Sequence, residues 1–408
     1  MFKARSVYIK ISMILIFGIS LFTQVQAQSV TIFEGARLIV GDGSDPIEGS
    51  VFIVVDDRIT HVGKKGVLAL PSNASRVNLN GKTVMPAIID AHKHTSNDRD
   101  ELISQLKELA YYGIGAVLSL GQDVSDAPFQ VKQENIPGTA RLYTAGRGIT
   151  TPEPGRSDTA YWIKSVEEGR QAVREQAMKD VDFIKVWVDD RGGQYTRTSN
   201  EQYSAIIDEA HKHGLRVAAH IYSMEDARGL LRAGIDAFAH GIRDKDIDDE
   251  TIEMFRERSN VVLIPNLPDR GIVRDYSWLK GSVSDEDLAK LQANSKENPE
   301  TEEFFGIQSR NLDALYKAGV KIAMGTDGRI MWEAHQQMED MVSSGMSPAD
   351  VIVAATKNSA EVVGLYDAGV IEAGKSADFI VLDANPISDI TNTRKINSVY
   401  LRGVKVQR

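Results

Sequence analysis

Histidines at alternate positions could bind a metal ion at two places in this chain. The tripeptide HKH occurs at residues 92–94, within DAHKHTS, and again at residues 211–213, within DEAHKHGLR. Imidazole nitrogens are common ligands of Zn²⁺. A divalent ion held there could supply a hydroxide nucleophile at neutral pH and polarise a carbonyl group as a Lewis acid. The two copies are therefore rival candidates for a metal site.

Backbone geometry favours the first copy. Side chains two residues apart share a face on a strand, whereas on a helix they diverge by roughly 200°. The first copy ends the apolar, strand-like run VMPAIIDAHKH, so His92 and His94 share a face. The second copy lies in the last turn of a helical pattern before Gly214, where His211 and His213 diverge and suit the helix C-terminus. His92 and His94 are thus the candidate ligands.

Four further polar residues end or interrupt apolar runs. Lys185 interrupts FIKVWV, His220 ends RVAAH, His240 ends DAFAH and Asp327 ends KIAMGTD. Alone, such a histidine is more often a hydrogen-bonded core residue, and such an aspartate can be a helix N-cap. A buried lysine is harder to explain structurally, because an unpaired ammonium there costs several kcal/mol. Polar residues on five strand ends together favour one shared site.

The runs that carry these residues alternate with helical patterns. Between about residues 83 and 369, amphipathic stretches that end near a glycine separate eight apolar runs. The runs are VMPAIIDAH, IGAVLSLG, RLYTAGRG, DFIKVWV, RVAAHIY, DAFAHG, VVLIPNL and KIAMGTD. This pattern predicts a (β/α)8 TIM barrel, whose catalytic groups gather at the strand C-terminal rim. An open doubly wound sheet is the alternative, although no GxGxxG follows an early strand.

The two chain ends differ from the middle in their residue pattern. Short β-type runs broken by turn residues fill residues 29–82, and similar runs, ADFIVLDAN and INSVYLRGVKV, lie near the C-terminus. This predicts a small β-sandwich domain built from residues 28–82 plus 370–408, beside a catalytic barrel at 83–369. The charged segment 281–310 reads as a solvated excursion or a helical lid.

Residues 1–27 predict a cleaved signal peptide. Lys3, Arg5 and Lys10 precede the apolar run ISMILIFGISLF, and VQA at 25–27 offers small residues for a signal peptidase. A membrane anchor is the alternative, but the run is short for a span of roughly 20 residues. We therefore expect a secreted or periplasmic protein with no stable membrane insertion after cleavage.

Composition and charge narrow the partners. The chain has 408 residues, 42% of them hydrophobic, which is ample for a large core, and no cysteine, so disulfides are excluded. Removing the predicted signal peptide takes away three cations and changes the formal charge from −10 to −13. Such a charge argues against nucleic acid as a partner. We expect a small-molecule substrate, and the sequence leaves homo-oligomer formation open.

Taken together, these motifs resemble the amidohydrolase superfamily, and within it the imidazolonepropionase-like and Xaa-Pro dipeptidase-like branch. The resemblance covers the whole mature chain. It is carried by DAHKH, FIKVW, AAHIYSMEDARGLLRAGID, DAFAHG, MGTDG, GMSPADVIVAATKNSAEVVGL and EAGKSADFIVLDANP. It implies a metal-dependent hydrolase that cleaves an amide-type carbon–nitrogen bond in a peptide-like, N-acyl amino acid or cyclic amide substrate.

The resemblance also implies a ligand set for two divalent ions. One ion would be held by His92, His94 and Asp327, and the second by His220 and His240. Lys185 would carry a CO2-derived carbamate that bridges both. Nitrogen and oxygen ligands without thiolate suit Zn²⁺ first, then Mn²⁺ or Co²⁺. A hydroxide shared by the two ions would attack the carbonyl, and Asp327 would pass its proton to the leaving amine.

Residues near the predicted ligands are candidates for contacts with the substrate or the ligands. Tyr222 follows His220 by two and faces the rim, where the family often contacts substrate through a tyrosine; packing is the alternative. Trp187 and Asp189 share the face of Lys185. Asp90 precedes the histidine pair and could orient it or be a buried structural residue.

One loop departs from the family pattern. Dipeptidase-like members tend to carry Gly-Gly-His after strand three, whereas this chain reads ITTPEPGRSDTAYW. Arg147 or Arg156 could instead take an anionic group of the substrate. The departure counts against a dipeptidase activity and leaves the metal set unchanged. A lactone or phosphotriester hydrolase and a non-catalytic binding barrel are the alternative functions.

Overall fold

The computed structural model describes residues 28–66 and 71–408. The predicted signal peptide at 1–27 lies outside the described residues. The strands are β1 (Val30–Glu34), β2 (Arg37–Leu38), β3 (Ser50–Val55), β4 (Arg58–Lys64), β5 (Ser75–Asn78), β6 (Thr83–Pro86), β7 (Ile88–Lys93), β8 (Ile114–Ser119), β9 (Arg141–Thr144), β10 (Ile149–Thr150), β11 (Tyr161–Trp162), β12 (Ile184–Val188), β13 (Val217–Ile221), β14 (Ala237–Ala239), β15 (Val262–Ile264), β16 (Lys321–Ile322), β17 (Phe379–Leu382), β18 (Ile396–Leu401) and β19 (Val404–Lys405).

The helices lie between the strands of the middle segment and after β16. They are α1 (Arg99–Tyr111), α2 (Ala127–Val131), α3 (Val166–Met178), α4 (Asn200–Lys212), α5 (Met224–Ala233), α6 (Asp249–Glu257), α7 (Asp285–Asn294), α8 (Pro299–Lys317), α9 (Glu333–Ser343), α10 (Pro348–Val353) and α11 (Ser359–Val363). Side-chain caps define many of their starts; Ser199, for example, forms a capping box with Gln202 at α4. Within the described ranges, no helix has the length and apolar character needed to cross a bilayer.

Both chain ends contribute to the sheets outside the middle segment. One sheet has the order β4-β3-β1-β5, and the other has the order β19-β18-β17-β6-β2. In the second sheet β17 pairs antiparallel with β6, so Phe379 lies opposite Pro86. Phe33 and Phe379 come from different sheets, and their ring centroids lie 5.1 Å apart. The two sheets therefore share an aromatic core that joins the N-terminal and C-terminal parts of the chain.

The middle segment forms parallel sheets. Strands β7-β8-β9 form one sheet, and β11-β10-β12-β13-β14-β15-β16 form another. Each of the eight predicted apolar runs contains one of these strands. The first run is divided, because residues 83–86 pair with β17 as β6 and only residues 88–93 continue as β7. The two short strands β10 and β11 were not predicted.

Backbone hydrogen bonds connect the two parallel sheets at both edges. The amide of Ala91 in β7 donates to the carbonyl of Met324 after β16 (2.9 Å). On the other edge, the amide of Asp182 before β12 donates to the carbonyl of Thr144 in β9 (2.8 Å). Together with the surrounding helices, this is a TIM-barrel-like α/β fold, in which the C-terminal ends of the strands face one side.

The charged segment 281–310 is helical. Helix α7 has no buried residue, although Leu288 and Leu291 pack partly against the core. Helix α8 buries one face through Phe305, Leu312 and Leu315. The segment is thus anchored by α8, while α7 presents most of its surface to solvent.

Candidate active site

Three histidines surround the carboxylate of Asp327. Oδ1 of Asp327 lies 2.8 Å from Nε2 of His94 and 3.0 Å from Nε2 of His92, and Oδ2 lies 3.4 Å from Nε2 of His240. The His92 contact lacks hydrogen-bond geometry. One possible ligand atom from each of His92, His240 and Asp327 lies within 4.8 Å of the others. This spacing is suitable for a metal ion.

The backbone before Asp327 is held against strand β7. The amides of Thr326 and Asp327 donate to the carbonyl of His92 at 3.0 and 2.7 Å. Asp90 binds both segments, because it accepts from Oγ1 of Thr326 (2.7 Å) and from the amide of His92 (3.1 Å). These bonds hold Asp327 in the left-handed backbone region (φ 57°), which is unfavourable for a residue with a Cβ. Asp90 thus contacts the backbone of both ligand segments.

Lys93 forms a second connection between the same segments. Its side chain is fully buried on the opposite face from the histidines. Nζ donates to the carbonyl of Ile330 (2.6 Å), and Oγ1 of Thr326 and Oε2 of Glu333 each lie at 3.3 Å. Its ammonium is therefore compensated by the loop that follows Asp327.

Lys185 is also buried, but within residues 28–66 and 71–408 no hydrogen bond or ion pair compensates its amino group. Nζ of this side chain has no hydrogen-bond partner among the described residues. Burial, reinforced by nearby arginines and opposed by Asp327, lowers the pKa of Lys185 to about 7. A Cβ on Gly121 would lie 2.8 Å from Cγ of Lys185, so the glycine leaves the space that this side chain occupies. A substantial fraction of Lys185 is therefore a neutral amine at neutral pH.

His220 lies beside the cluster but its Nε2 faces a different pair of residues. Its ring centroid is 4.6 Å from that of His240. Nη1 of Arg191 lies 2.7 Å from Nε2 of His220 and 2.5 Å from Oδ2 of Asp189. Nε of Arg191 also donates to the fully buried Glu153 (3.2 Å). The guanidinium thus connects His220 with two buried carboxylates.

The environment keeps these histidines neutral and the aspartate ionised. Burial lowers the pKa of His92 and of His220 to about 3, and it lowers the pKa of His240 well below the usual range. Burial alone would raise the pKa of Asp327, but the facing histidines outweigh it and the net shift is strongly downward. At neutral pH the rings therefore offer lone pairs and Asp327 offers a negative charge, as metal binding requires.

Comparison with known proteins identifies the family. The amidohydrolase family model matches residues 83–406. The chain belongs to the amidohydrolase family. It is 26% identical to ochratoxinase from Aspergillus niger, over 88% of this chain and 82% of that protein. It is 25% identical to imidazolonepropionase from Geobacillus thermodenitrificans, over 90% of each chain.

Solved structures give the same family. A structure described as a candidate prolidase from Bifidobacterium longum has a TM-score of 0.79 and 28% identity, covering 93% of this chain and 95% of that chain. A Xaa-Pro dipeptidase with bound methionine has a TM-score of 0.75 and 22% identity, covering 93% and 100%, and it supports the fold. These matches confirm the predicted superfamily branch and the predicted enzyme class, a hydrolase acting on carbon–nitrogen bonds.

A cavity of about 290 Å³ opens beside the ligand cluster of this amidohydrolase. Besides predicted ligands, its lining includes Gln122, Arg156, Ser157, Thr159, Trp187 and Arg191. Two of the predicted substrate contacts, Arg147 and Tyr222, are not among these lining residues. Arg147 donates to the carbonyls of Thr159 and Ala160 (2.7 and 2.9 Å) and holds the loop from outside the cavity. Tyr222 is 42% exposed and is not part of the lining.

Several residues at the site were missed by the sequence reasoning, among them Arg191, Glu153 and Asn266. Arg191 and Glu153 come from loops, and a loop residue has no periodicity that reveals its position. Asn266 is different, because it ends the run VVLIPN of the seventh predicted strand, so its position at a strand end could have identified it. Nδ2 of Asn266 lies 2.5 Å from Nδ1 of His92 and fixes that ring.

The second HKH copy lies away from the cluster. His211 pairs with Asp236 (2.8 Å), and Nε2 of His213 is 3.8 Å from Glu209. His213 is the C-terminal cap of α4, and His211 is in its last turn, as the periodicity predicts. These two histidines therefore have surface contacts.

Proposed function

We propose that this amidohydrolase hydrolyses an amide-type carbon–nitrogen bond in a small molecule, using two bound divalent ions. The observation that carries the proposal is the convergence of His92, His94 and His240 on Asp327, with the uncompensated Lys185 beside them. No ordinary structural role requires three imidazoles around one carboxylate at the strand ends of this fold. The alternative function, hydrolysis of a lactone or phosphotriester at the same site, is separated by the assay below.

The residues fit a pair of divalent ions. The side-chain nitrogens Nε2 of His92, Nδ1 of His94 and Nδ1 of His240 are buried without hydrogen-bond partners in the described part of the chain. His92, His94 and Asp327 would hold one ion, and His220 and His240 the other. A nitrogen and oxygen set without thiolate suits Zn²⁺. When bound, the ions would supply an activated water at neutral pH and a Lewis acid for the substrate carbonyl.

Lys185 completes the donor set in this proposal by becoming a carbamate. Its neutral amine adds to the carbon of CO2 and gives up one proton, so that a neutral amine becomes an anion with two oxygen donors. The proposal rests on the burial of Nζ and its lack of a partner. The pKa of about 7 supports it, because only the neutral amine is nucleophilic. The modification would remove the cost of a buried ammonium.

Asp327 would move the proton in the reaction. Its strongly lowered pKa keeps it ionised, and its carboxylate already lies within hydrogen-bond reach of the cluster. In this role it accepts the proton of the attacking water and delivers it to the leaving nitrogen. His94 and the backbone contacts of Thr326 hold the carboxylate in position for both transfers.

The cavity suggests the type of substrate. Arg156 lines it with a partly exposed side chain whose nearest carboxylate, Glu153, is 3.9 Å away. Trp187 adds an aromatic surface beside Lys185. A cation and an aromatic surface suit an N-acyl amino acid or a peptide-like amide with a carboxylate. We infer that Arg156, rather than Arg147, contacts that carboxylate.

An assay with purified protein tests the proposal. Dipeptides, N-acyl amino acids, hydantoin-like rings, lactones and phosphotriesters would be offered with Zn²⁺, and release of each product would be measured. We expect turnover of at least one amide. Turnover of lactones or phosphotriesters alone would replace the proposal with the alternative function, and no turnover by a metal-loaded protein would favour a binding role.

Several expectations from the sequence complete the proposal. The parallel strands from β7 to β16, within the predicted domain 83–369, would form a closed (β/α)8 barrel. Residues 28–82 plus 370–408, together with β6, would form a β-sandwich domain. The signal peptide at 1–27 would direct the protein to the periplasm or outside the cell. The substrate would be a small molecule, and neither nucleic acid nor membrane would be a stable partner.

A further inference from the structure

We propose that Asp189 is an additional carboxylate ligand of the second divalent ion, and that Arg191 competes with that ion for the same two atoms. This inference rests on the proposed two-ion function and extends it to two residues of one loop. It assigns a role to an ion pair that the family resemblance does not include.

Asp189 and His220 present two atoms at the spacing of ligands of one ion. Oδ2 of Asp189 and Nε2 of His220 lie 3.1 Å apart. Ligand atoms bound at about 2.0–2.2 Å to one ion are separated by roughly 3.0–3.5 Å, so this spacing is that of two neighbouring ligands. The contacts of Asp327 with His92 and His94, at 3.0 and 2.8 Å, have similar lengths.

Both atoms already face one cation, the guanidinium of Arg191. Nη1 of Arg191 lies 2.5 Å from Oδ2 of Asp189 and 2.7 Å from Nε2 of His220. Because a guanidinium only donates, its contact with His220 uses the lone pair of Nε2, the same lone pair that a metal ion would take. In the other tautomer Nε2–H would donate to Oδ2 of Asp189, which lies 3.1 Å away. A guanidinium and a divalent ion cannot use the same two lone pairs at once. Binding of the ion therefore requires Arg191 to leave.

Glu153 is an alternative partner for the guanidinium of Arg191. Oδ1 of Asp189 accepts from the backbone amide of Arg191 (2.8 Å), which orients Oδ2 toward His220 independently of the guanidinium. Glu153 is fully buried, and its Oε2 has no hydrogen-bond partner among the described residues, while Oε1 accepts from Nε of Arg191. After leaving His220, the guanidinium can keep its charge paired with Glu153. Gly192, which follows Arg191, gives the backbone freedom to adjust.

Metal titration of the purified protein tests the assignment of Asp189 as a ligand. Binding of Zn²⁺ would be followed by calorimetry with a competing chelator, and bound zinc would be counted by elemental analysis. For Asp189→Asn we expect the second binding step to weaken by about tenfold or more, because a ligand charge is lost. For Arg191→Met we expect that step to strengthen by about tenfold, because the competing cation is removed. The first step should be unchanged in both.

Opposite changes in the affinity of the second zinc-binding step in the two variants distinguish a metal-binding role of Asp189 from a structural role. If the Asp189–Arg191 pair only stabilised the loop, both variants would weaken the second step or leave it unchanged, and either result would overturn the proposal. A gain in affinity by Arg191→Met cannot arise from misfolding. Arg197→Met is the matched control, since Arg197 pairs with Asp190 and Asp226 nearby. It should leave both steps at the values of the unaltered protein.

The result of the zinc titration can be separated from the result of the amide-hydrolysis assay. A protein that binds one zinc ion and still hydrolyses amides would overturn the role of Asp189 and leave amide hydrolysis standing. A protein that binds two ions with the expected opposite shifts, yet hydrolyses no amide, would support the ligand assignment and remove the proposed reaction.

Discussion

Oδ1 of Asp327 lies 2.8 Å from Nε2 of His94, although 233 positions separate the two residues in the chain. His94 directly follows strand β7, and Asp327 lies in the segment after β16. Because these are the first and the last parallel strands of the middle segment, the contact exists only when the two edges of the strand array meet. A substitution of Asp327 therefore also probes whether the first and last parallel strands meet.

Replacing Asp327 by asparagine should remove the proton carrier and keep its size. We expect kcat to fall by about 10²–10⁴-fold, the usual contribution of a general acid–base group. The histidines and Lys185 should still retain metal, as measured by elemental analysis. Asp313→Asn, at a surface ion pair with Lys317, is the control and should be silent. Undiminished kcat in Asp327→Asn would contradict the assigned role.

Lys185→Met should abolish the anionic bridge that we propose. We expect activity to fall by about 100-fold, in the upper range of losses seen when a metal environment is disturbed. Added propionate should restore part of it if the missing group is an anion, whereas added methylamine should restore it if the missing group is a cation. The rates with each additive are the measurement. In the unaltered protein, ¹³CO2 should give a carbamate signal in a ¹³C spectrum.

Lys93→Met should destabilise the protein, since Ile330 and Glu333 lose the buried cation that they bind. We expect a loss of about 3–5 kcal/mol in the free energy of unfolding, the range for breaking a buried pair. Glu333→Gln should cost less, about 1 kcal/mol, because that side chain is 25% exposed. Urea unfolding of both variants and the double variant gives the coupling energy. Purely additive effects would show that the pair is not coupled.

His335 should make stability depend on pH. Burial lowers its pKa from 6.5 to about 4, and both ring nitrogens have buried partners in Thr393 and Tyr112. Its contribution is present in full above pH 6.5, where the ring is neutral in both states. It is lost as pH falls toward 4, since only the unfolded chain takes up the proton, at about 1.4 kcal/mol per pH unit. The difference in unfolding free energy between the unaltered protein and His335→Gln should narrow across this window; a constant difference would contradict it.

Removing metal should lower thermal stability if the cluster binds it in the folded state alone. With free Zn²⁺ at about 1,000 times the dissociation constant, bound metal adds about 4 kcal/mol. A chelator should therefore lower the unfolding temperature, and added Zn²⁺ should restore it. In a His92→Asn, His94→Asn double variant the response to the chelator should shrink. An equal response in that variant would place the stabilising metal elsewhere.

The sequence predicted the strands of the barrel-like fold well because their period is local. Apolar runs and glycine-terminated helical patterns are set by neighbouring residues, so all eight runs contain a strand. The boundary between β6 and β7 at Pro86 could not be predicted from the sequence, since the two strands form one continuous apolar run. Only the pairing of β6 with β17, almost 300 residues later, assigns the first half to another sheet.

The motifs of the sequence by themselves identified the family and the enzyme class by resemblance. Strand alternation, which places His92 and His94 on one face, and the gathering of strand ends on one rim identified the residues to consider as ligands. The tertiary structure alone decided which arginine lines the cavity and what His220 faces. Arg147 is turned to loop carbonyls, while Arg191 connects His220 with Asp189 and Glu153. The physical reason is that these contacts join loops distant in the chain. Their geometry depends on the packing of the whole fold and leaves no repeat in the sequence.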